Sequence, residues 1–122
     1  MDIFHGYDHV PPGARGAAVA IGNFDGVHKG HQALIARAGD AARGLGVRTA
    51  ALVFEPHPRE FFQPARPLFR LTPLPQKLIL LESYGVNLTY VITFEQELAS
   101  MSAETFVERV LVAGLGVKHV VI

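Results

Sequence analysis

The residues best suited to chemistry in this chain lie together in the segment GNFDGVHKGHQAL, residues 22–34. Asp25, His28 and His31 fall within ten residues and are interspersed with glycines. Histidine is the side chain most readily used for proton, metal or phosphate chemistry near neutral pH. Glycine lets the backbone turn sharply or approach a ligand closely. The combination predicts a loop shaped around a ligand.

Phosphate is the ligand chemistry that these residues suit best. The segment leads into a predicted helix, whose first turn offers unpaired N–H groups and a partial positive charge. His28 and His31 are three residues apart and can share a helix face, and Gly30 between them removes a side chain. The loop has no cysteine, serine or threonine to serve as a strong nucleophile. We therefore predict that the two imidazoles stabilise charge that develops on phosphorus.

The elements that must position this loop are alternating strands and helices. Short apolar runs predict four strands, at residues 17–21, 47–56, 87–94 and 117–122. Capping residues and apolar spacing predict helices at 31–46, at 73–85 after Thr72, and at 103–116 after Ser102. The proline-rich stretch 56–71 is predicted to be a long loop.

This alternation predicts an α/β fold with a Rossmann-like parallel sheet and helices on both faces. Right-handed crossovers would place the first three strands side by side, and a fourth strand on the other side of the first would create a topological switch point. Ligands bind outside the carboxyl ends of strands at such a point, where the loop of residues 22–34 begins. The core is predicted to include Tyr84, Phe94 and one face of the first helix, formed by Leu34, Ile35, Ala38, Ala41, Ala42 and Leu45.

Composition narrows the class of protein. The chain has 122 residues, 49% of them hydrophobic, which suits one globular domain. Its 11 basic and 11 acidic residues cancel, so there is no electrostatic reason to expect nucleic acid or a membrane surface as a partner. The absence of cysteine excludes a disulfide scaffold and fits a cytoplasmic protein. The first residues lack a signal-peptide pattern, and no apolar run reaches the roughly 20 residues of a membrane span.

Two motifs together carry a family resemblance. GNFDGVHKGHQAL resembles the first signature of the nucleotidyltransferase superfamily, whose core is His-x-Gly-His. With FEPHPREFF after it, the chain is similar to the FMN adenylyltransferase domain of bacterial bifunctional riboflavin kinase/FAD synthetase, and the similarity extends through RLTPLPQKLILLESYGV and FVERVL. The resemblance implies transfer of AMP from ATP to FMN, which gives FAD and pyrophosphate, with Mg²⁺.

The resemblance also implies roles for individual residues. His28 and His31 would be the catalytic pair that contacts the ATP phosphates. Asp25 would orient the loop rather than bind Mg²⁺, and no metal ligand is assigned. The nucleotide-binding loop would comprise Gly22, Asn23, Phe24, Asp25, His28, Gly30 and His31. The border of the flavin ring would be formed by Pro56, Pro58 and Phe62.

The family pattern is longer than this chain. Residues 1–122 are interpreted as the N-terminal part of an FMN adenylyltransferase domain. The family's Gly-x-Asp-Phe-x-Phe-Gly segment, its Ser-Ser-Thr-x-x-Arg signature and its riboflavin kinase domain are not among these residues. Because that second signature helps to bind the triphosphate, the chain alone is expected to be inactive or nearly so.

Several alternatives remain open. His28 and His31 could bind a metal with Asp25 or His57, although no complete ligand set has the spacing of a zinc site. A dinucleotide-binding oxidoreductase fits the alternation, but neither G-x-G-x-x-G nor a P-loop occurs. A nucleotide- or flavin-binding fragment without turnover is the main alternative function. Phe61 and Phe62 could pack the proline-rich loop instead of stacking on a ligand, and His57 is interpreted as a residue that fixes this loop. Surface or core-edge positions are expected for His5, His9 and His119. A loose basic cluster that could help to hold phosphates, although surface positions are the default, is formed by Arg59, Arg66 and Arg70.

Overall fold

Five parallel strands form the central sheet of the protein. The computed structural model describes residues 1–25, 29–55 and 73–122. The strands are β1 (Asp2–His5), β2 (Ala18–Ile21), β3 (Thr49–Glu55), β4 (Leu88–Thr93) and β5 (His119–Val121). Their spatial order is β1-β4-β3-β2-β5, and every pairing is parallel. β2 therefore lies between β3 and β5.

Helices cover both faces of the sheet. They are a 3₁₀ turn (Pro12–Ala14), α1 (Lys29–Leu45), α2 (Leu74–Ser83), α3 (Gln96–Ala99) and α4 (Ala103–Phe106), which continues as a π-helix (Val107–Gly114). Ser102 begins α4 as predicted, because its Oγ accepts a hydrogen bond of 3.1 Å from the Thr105 N–H.

The core consists of one apolar layer on each face. On the α1 and α2 side, Phe24, Ile35 and Leu81 pack with alternate residues of β2, β3 and β4. On the side of α3, α4 and the π-helix, Tyr90, Leu98 and Leu111 pack with the other set of strand residues. β2, β3 and β4 are buried on both faces, as expected of the inner strands of a parallel sheet, which is why they occur in the sequence as continuous apolar runs.

Glycine ends both of the longer helices. Gly46 follows α1 with φ of 68°, and the Val47 N–H reaches back to the Ala42 carbonyl at 2.9 Å. Gly85 follows α2 with φ of 98°, and the Val86 N–H reaches the Leu81 carbonyl at 3.1 Å. This left-handed C-terminal motif satisfies carbonyls that an ending helix would leave open.

The predicted architecture is confirmed. β2, β3 and β4 extend outward in sequence order, and β5 lies on the other side of β2. The four predicted strands omitted β1, however, which pairs with β4 at the edge of the sheet. Three of its four residues are exposed, so it lacks the apolar run that marks the buried strands.

Smaller differences lie at helix ends and on the surface. Leu45 is 53% exposed and Tyr84 is 42% exposed, so the prediction that both are core residues is wrong. Leu45 is the last residue of α1, in a last turn whose neighbouring residues are also exposed. Pro73 precedes α2 instead of being its first residue. Phe94 packs against the core as predicted, while Thr72 and the predicted loop at 56–71 lie outside the described residues.

None of the helices that the structure describes is long and apolar enough to cross a membrane.

Candidate functional site

The candidate site begins where β2 ends. The Gly22 N–H donates to the Leu52 carbonyl at 3.2 Å, so the ladder between β2 and β3 continues for one residue beyond Ile21. On its other side β2 pairs with β5 up to Ala20 and Val121. The chain then crosses the carboxyl edge of the sheet, at the switch point that the strand order creates. In parallel α/β sheets, this is where ligands bind.

Phe24 anchors the loop to the core. Its side chain is fully buried with Ile35 and Ala38 of α1. Its φ is 55°, in the left-handed region that a phenylalanine rarely adopts. Such backbone strain persists only where the surrounding structure enforces it, and it is often found at functional sites.

His31 is held against that anchor. It lies in the first turn of α1, half-buried. Its ring is 5.2 Å from the Phe24 ring, at an interplanar angle of 62°. This is an edge-to-face arrangement, the geometry that aromatic pairs favour. Packing with Phe24 therefore fixes the imidazole at the beginning of the helix.

Other predicted loop residues surround this pair. A Cβ on Gly22 would come within 3.4 Å of the Phe24 ring, so glycine at this position leaves room for the anchor. The Oδ1 atom of Asn23 is buried and accepts no hydrogen bond within the part of the chain that the structure describes. Asp25 is half-buried, and Gly30 lies exposed at the start of α1.

An apolar pocket of about 660 Å³ lies on the other face of the sheet from this loop. Ser102 is the single polar side chain among its described lining residues. The others include Ile21 at the end of β2 and Val120 and Ile122 at the end of β5. The pocket and the loop therefore share the carboxyl end of β2.

Three phenylalanines form the inner wall of the pocket. Phe54 comes from β3, Phe94 follows β4, and Phe106 ends α4. The Phe54 and Phe94 rings are 5.7 Å apart and nearly perpendicular, at 86°. The Phe54 and Phe106 ring centroids are 6.2 Å apart. These side chains form an aromatic surface suited to a flat, apolar ligand.

The structure thus brings together part of the predicted site. Gly22, Asn23, Phe24, Gly30 and His31 meet at the end of β2 and the beginning of α1. Asp25 lies in the same loop. The other predicted residues, His28, Pro56, Pro58 and Phe62, lie outside the described residues, as does His57 of the metal alternative.

Sequence reasoning missed the aromatic wall. Phe54 and Phe106 were present in the motifs FEPHPREFF and FVERVL, but no role was predicted for either of them. Phe94 was predicted only as a core residue. The three lie far apart in the chain, and only the strand order brings them together. A signal was available, because each phenylalanine lies at or just after the carboxyl end of a strand or at a helix end.

Comparison with known proteins supports the fold. A solved structure described as a macrolide-efflux protein from Streptococcus pneumoniae superposes with a TM-score of 0.79 and 24% sequence identity. The match covers 99% of this chain and 40% of that one. At this identity, the similarity shows the fold alone.

Sequence relatives carry more specific information. A bifunctional riboflavin kinase/FMN adenylyltransferase from Pseudomonas fluorescens is 44% identical over 119 residues, which are 98% of this chain and 38% of the relative. One of the same name from Buchnera aphidicola is 32% identical over all 122 residues, or 39% of that relative. The chain thus spans about two fifths of the length of these relatives. Residues 10–122 match the family model for FAD synthetase. The chain therefore belongs to the FAD synthetase family.

Proposed function

We propose that this chain provides part of the site that transfers AMP from ATP to FMN, which yields FAD and pyrophosphate. The observation that carries the proposal is the position of His31. Its ring is fixed by Phe24 at the beginning of α1. An apolar pocket lies at the same strand end, on the other face of the sheet. A helix terminus suited to phosphate and an aromatic pocket, both at the carboxyl end of β2, suit a reaction between a nucleotide and a flavin.

The reaction places specific demands on these residues. A phosphate oxygen of FMN attacks the α-phosphorus of ATP, and the bond from that phosphorus to the pyrophosphate oxygen breaks. Negative charge grows on the phosphoryl oxygens and on the leaving group. The N–H groups of the first turn of α1 and the imidazole of His31 would stabilise this charge. His28, three residues earlier, would add a second imidazole.

The pocket would bind the apolar half of the flavin. Its volume of about 660 Å³ lies within the usual range for small-molecule sites. The isoalloxazine ring would stack on the aromatic wall of Phe54, Phe94 and Phe106, while the phosphate would extend toward α1. Pro56, Pro58 and Phe62 would border the same ring. Gly22, Asn23, Phe24, Asp25 and Gly30 would shape the nucleotide loop.

Mg²⁺ fits this loop. Magnesium prefers oxygen ligands, including phosphate oxygens and carbonyl or carboxylate groups. The Oδ1 atom of Asn23 is a buried oxygen that accepts no hydrogen bond from the described residues. It could hold the ion directly or through water, with Asp25 orienting the loop. Bound Mg²⁺ would neutralise part of the triphosphate charge.

The domain organisation of the full-length protein and its location in the cell are also proposals. The relatives are named as bifunctional proteins with riboflavin kinase activity. We propose that residues 1–122 correspond to the N-terminal part of their adenylyltransferase domain, that a riboflavin kinase domain accompanies it in the full-length protein, and that the protein is cytoplasmic.

The proposal is tested by giving the purified chain FMN and ATP with Mg²⁺. FMN fluorescence quenching measures flavin binding, and chromatography detects FAD. Riboflavin is the matched control, because it has the ring but lacks the attacking phosphate. We expect the chain to bind both flavins. When the full-length protein is assayed in the same way, we expect only FMN to yield FAD, because residues 1–122 by themselves are expected to be inactive or nearly so.

The outcomes separate the two candidate functions. FMN binding by the full-length protein without any FAD would favour the alternative, a nucleotide- or flavin-binding protein without turnover. Failure to bind either FMN or ATP would contradict both.

A further inference from the structure

The wall of the apolar pocket is built by an unusual helix. α4 changes at Val107 into a π-helix that continues to Gly114. In this segment hydrogen bonds join residues five apart, and the Leu115 N–H reaches the Val110 carbonyl at 2.8 Å. π-helices are rare, are mostly single turns, and are often found at functional sites. An eight-residue π-helix therefore needs a physical reason.

The wider turn decides which side chains face the pocket. Phe106, Val107 and Leu111 all line it. Phe106 and Leu111 are five residues apart, so one π turn brings them to the same side of the helix. In an α-helix, residues five apart point about 140° away from each other. Phe106 and Leu111 therefore share the pocket wall in the π register and would be separated in the α register, whereas Val107 and Leu111, four residues apart, would share a face in either.

Arg15 holds the end of this segment. Its Nη1 atom donates to the Ala113 carbonyl at 3.0 Å and to the Gly114 carbonyl at 2.7 Å. The last carbonyls of a helix have no partner within the helix and carry partial negative charge, so a guanidinium group is well suited to bind them. Arg15 belongs to the β1–β2 connection, residues 6–17, nearly 100 positions away in the sequence.

Gly114 allows the same connection to approach closely. A Cβ on this residue would lie only 2.9 Å from the carbonyl oxygens of Tyr7 and Arg109. The backbone at Tyr7 therefore touches the end of the π-helix where no side chain could fit. The β1–β2 connection thus contacts this end at two points, the Arg15 side chain and the Tyr7 backbone.

We propose that Arg15 is a positioning residue for the flavin pocket. By binding the carbonyls of Ala113 and Gly114, it stabilises the π register, which in turn places Phe106 and Leu111 on the pocket wall. Arg15 does not line the pocket. The inference rests on the proposed function for the ligand, but the effect of Arg15 on helix register can be measured without any ligand.

The register is tested by disulfide crosslinking, because the chain has no cysteine. Glu108→Cys and Ala113→Cys together place two thiols five residues apart on the exposed side of the π-helix. In an α-helix the two Cα atoms would be roughly 9 Å apart, beyond the limit of about 7 Å for a disulfide. With diamide as oxidant, we expect this pair to crosslink in the otherwise native chain and not with Arg15→Met. The matched control is Ala36→Cys with Ala41→Cys in α1, which should not crosslink.

The effect on the pocket is measured by FMN binding. Arg15→Met should weaken FMN affinity by about tenfold, the scale expected from losing one or two hydrogen bonds to a charged group. Arg48→Met is the control, since Arg48 donates to the Gly13 carbonyl at 3.1 Å, in the same connection, without touching the π-helix. It should lower thermal stability and leave FMN affinity unchanged. If Arg15→Met fails to fold, Arg15→Lys replaces it, because lysine keeps the charge and loses the planar fork.

The proposal is overturned if the Glu108→Cys, Ala113→Cys pair crosslinks equally well in the otherwise native chain and in the Arg15→Met variant. Equal loss of FMN affinity in the Arg15 and Arg48 variants would also overturn it, because the effect would then be general destabilisation. If the native chain binds no FMN, the proposed function fails, and the crosslinking result alone decides whether Arg15 sets the register.

Discussion

The two helical segments that flank the switch point differ in how their geometry is set. α1 is a regular helix of 17 residues that follows the loop at the end of β2 and is ended by a glycine, Gly46. The α4–π segment lines the apolar pocket, and its register changes after four residues. α1 supplies a polar group, His31, and the α4–π segment supplies an apolar wall.

The two segments therefore differ in whether their helix geometry is set by residues nearby in the sequence or by residues far from them. The ends and the buried face of α1 follow from nearby residues, because its stop signal and apolar spacing lie within the helix itself. The π register depends on Arg15 and on the Tyr7 backbone, which reach the helix from the β1–β2 connection. We therefore expect substitutions in α1 to act locally, and substitutions at the end of the π-helix to act on the pocket as well.

The largest effect is expected at His31, the polar group that α1 supplies. His31→Ala should lower the rate of FAD formation by about 10²–10³-fold in a protein that has this activity, because one preorganised donor to the developing charge is lost. Circular dichroism should remain unchanged. Gln32→Ala is the control, since Gln32 is the next residue of α1 and its side chain donates to the Tyr84 hydroxyl at 3.1 Å. Near-normal turnover by folded His31→Ala would remove His31 from the catalytic assignment.

Two glycines, one in each helical segment, test whether α1 and the π-helix differ in their contacts with distant parts of the chain. Gly114→Ala should destabilise the protein by about 1–3 kcal/mol, because the new methyl group would overlap backbone atoms of Tyr7 and Arg109. Gly44→Ala in α1 has open space around it and should stabilise the protein by about 0.5–1 kcal/mol. Urea unfolding monitored by circular dichroism measures both. Effects of the same sign would show that the two helices are not different in this respect.

The aromatic wall should affect binding more than catalysis. Phe106→Ala is expected to weaken FMN binding by about 1–3 kcal/mol, by analogy with the stacking of bases on aromatic side chains, and to leave ATP binding nearly unchanged. Val112→Ala, on the same segment but 59% exposed, is the control. Fluorescence titration distinguishes the cases. An equal loss for FMN and ATP would point to a disturbed fold.

The smallest effect is expected from the hydrogen bond that joins Tyr90 of β4 to the β1–β2 connection. The buried Tyr90 hydroxyl donates to the Ala14 carbonyl, next to Arg15. Tyr90→Phe should cost about 0.5–1.5 kcal/mol of stability at neutral pH, the usual net value of one hydrogen bond. Tyr84→Phe, at an exposed position, should cost less.

Tyr90 also predicts a pH dependence. Burial raises the pKa of Tyr90 to about 12 from an ordinary value of 10. The folded state therefore keeps the proton that the unfolded state loses above pH 10, so this contribution to stability is complete below pH 10 and declines as the pH rises toward 12. Urea unfolding at several alkaline pH values should show a shallower decline for Tyr90→Phe. An unchanged decline would mean that other groups cause it.

Much of the fold could be predicted from local patterns. Buried parallel strands are continuous apolar runs, and the four at β2 to β5 were predicted with their spatial order. β1 was missed because an edge strand needs no such run, and Asp2 and His5 are exposed. The π register could not be predicted, since it depends on contacts between residues nearly 100 positions apart.

The candidate site divides in the same way. The loop residues near His31 are close in sequence, so their spacing and the family resemblance were enough to predict them as one site, which stays a prediction. Phe54, Phe94 and Phe106 come from three separate elements, and their meeting depends on how the sheet is assembled. Sequence spacing alone carries no information about that meeting.

The position of β1 has a consequence for how the protein folds during synthesis. Asp2 pairs with Leu88, 86 residues later in the chain. At a synthesis rate of about 5–20 residues per second, the partner strand is made roughly 4–17 s after β1. Closing so large a loop also slows folding. During this interval β1 lacks its partner strand β4. The polar residues Asp2 and His5 at its two ends limit the risk that it aggregates with other nascent chains. The lack of a continuous apolar run, which makes β1 difficult to predict from the sequence, thus also reduces its aggregation before β4 is synthesised.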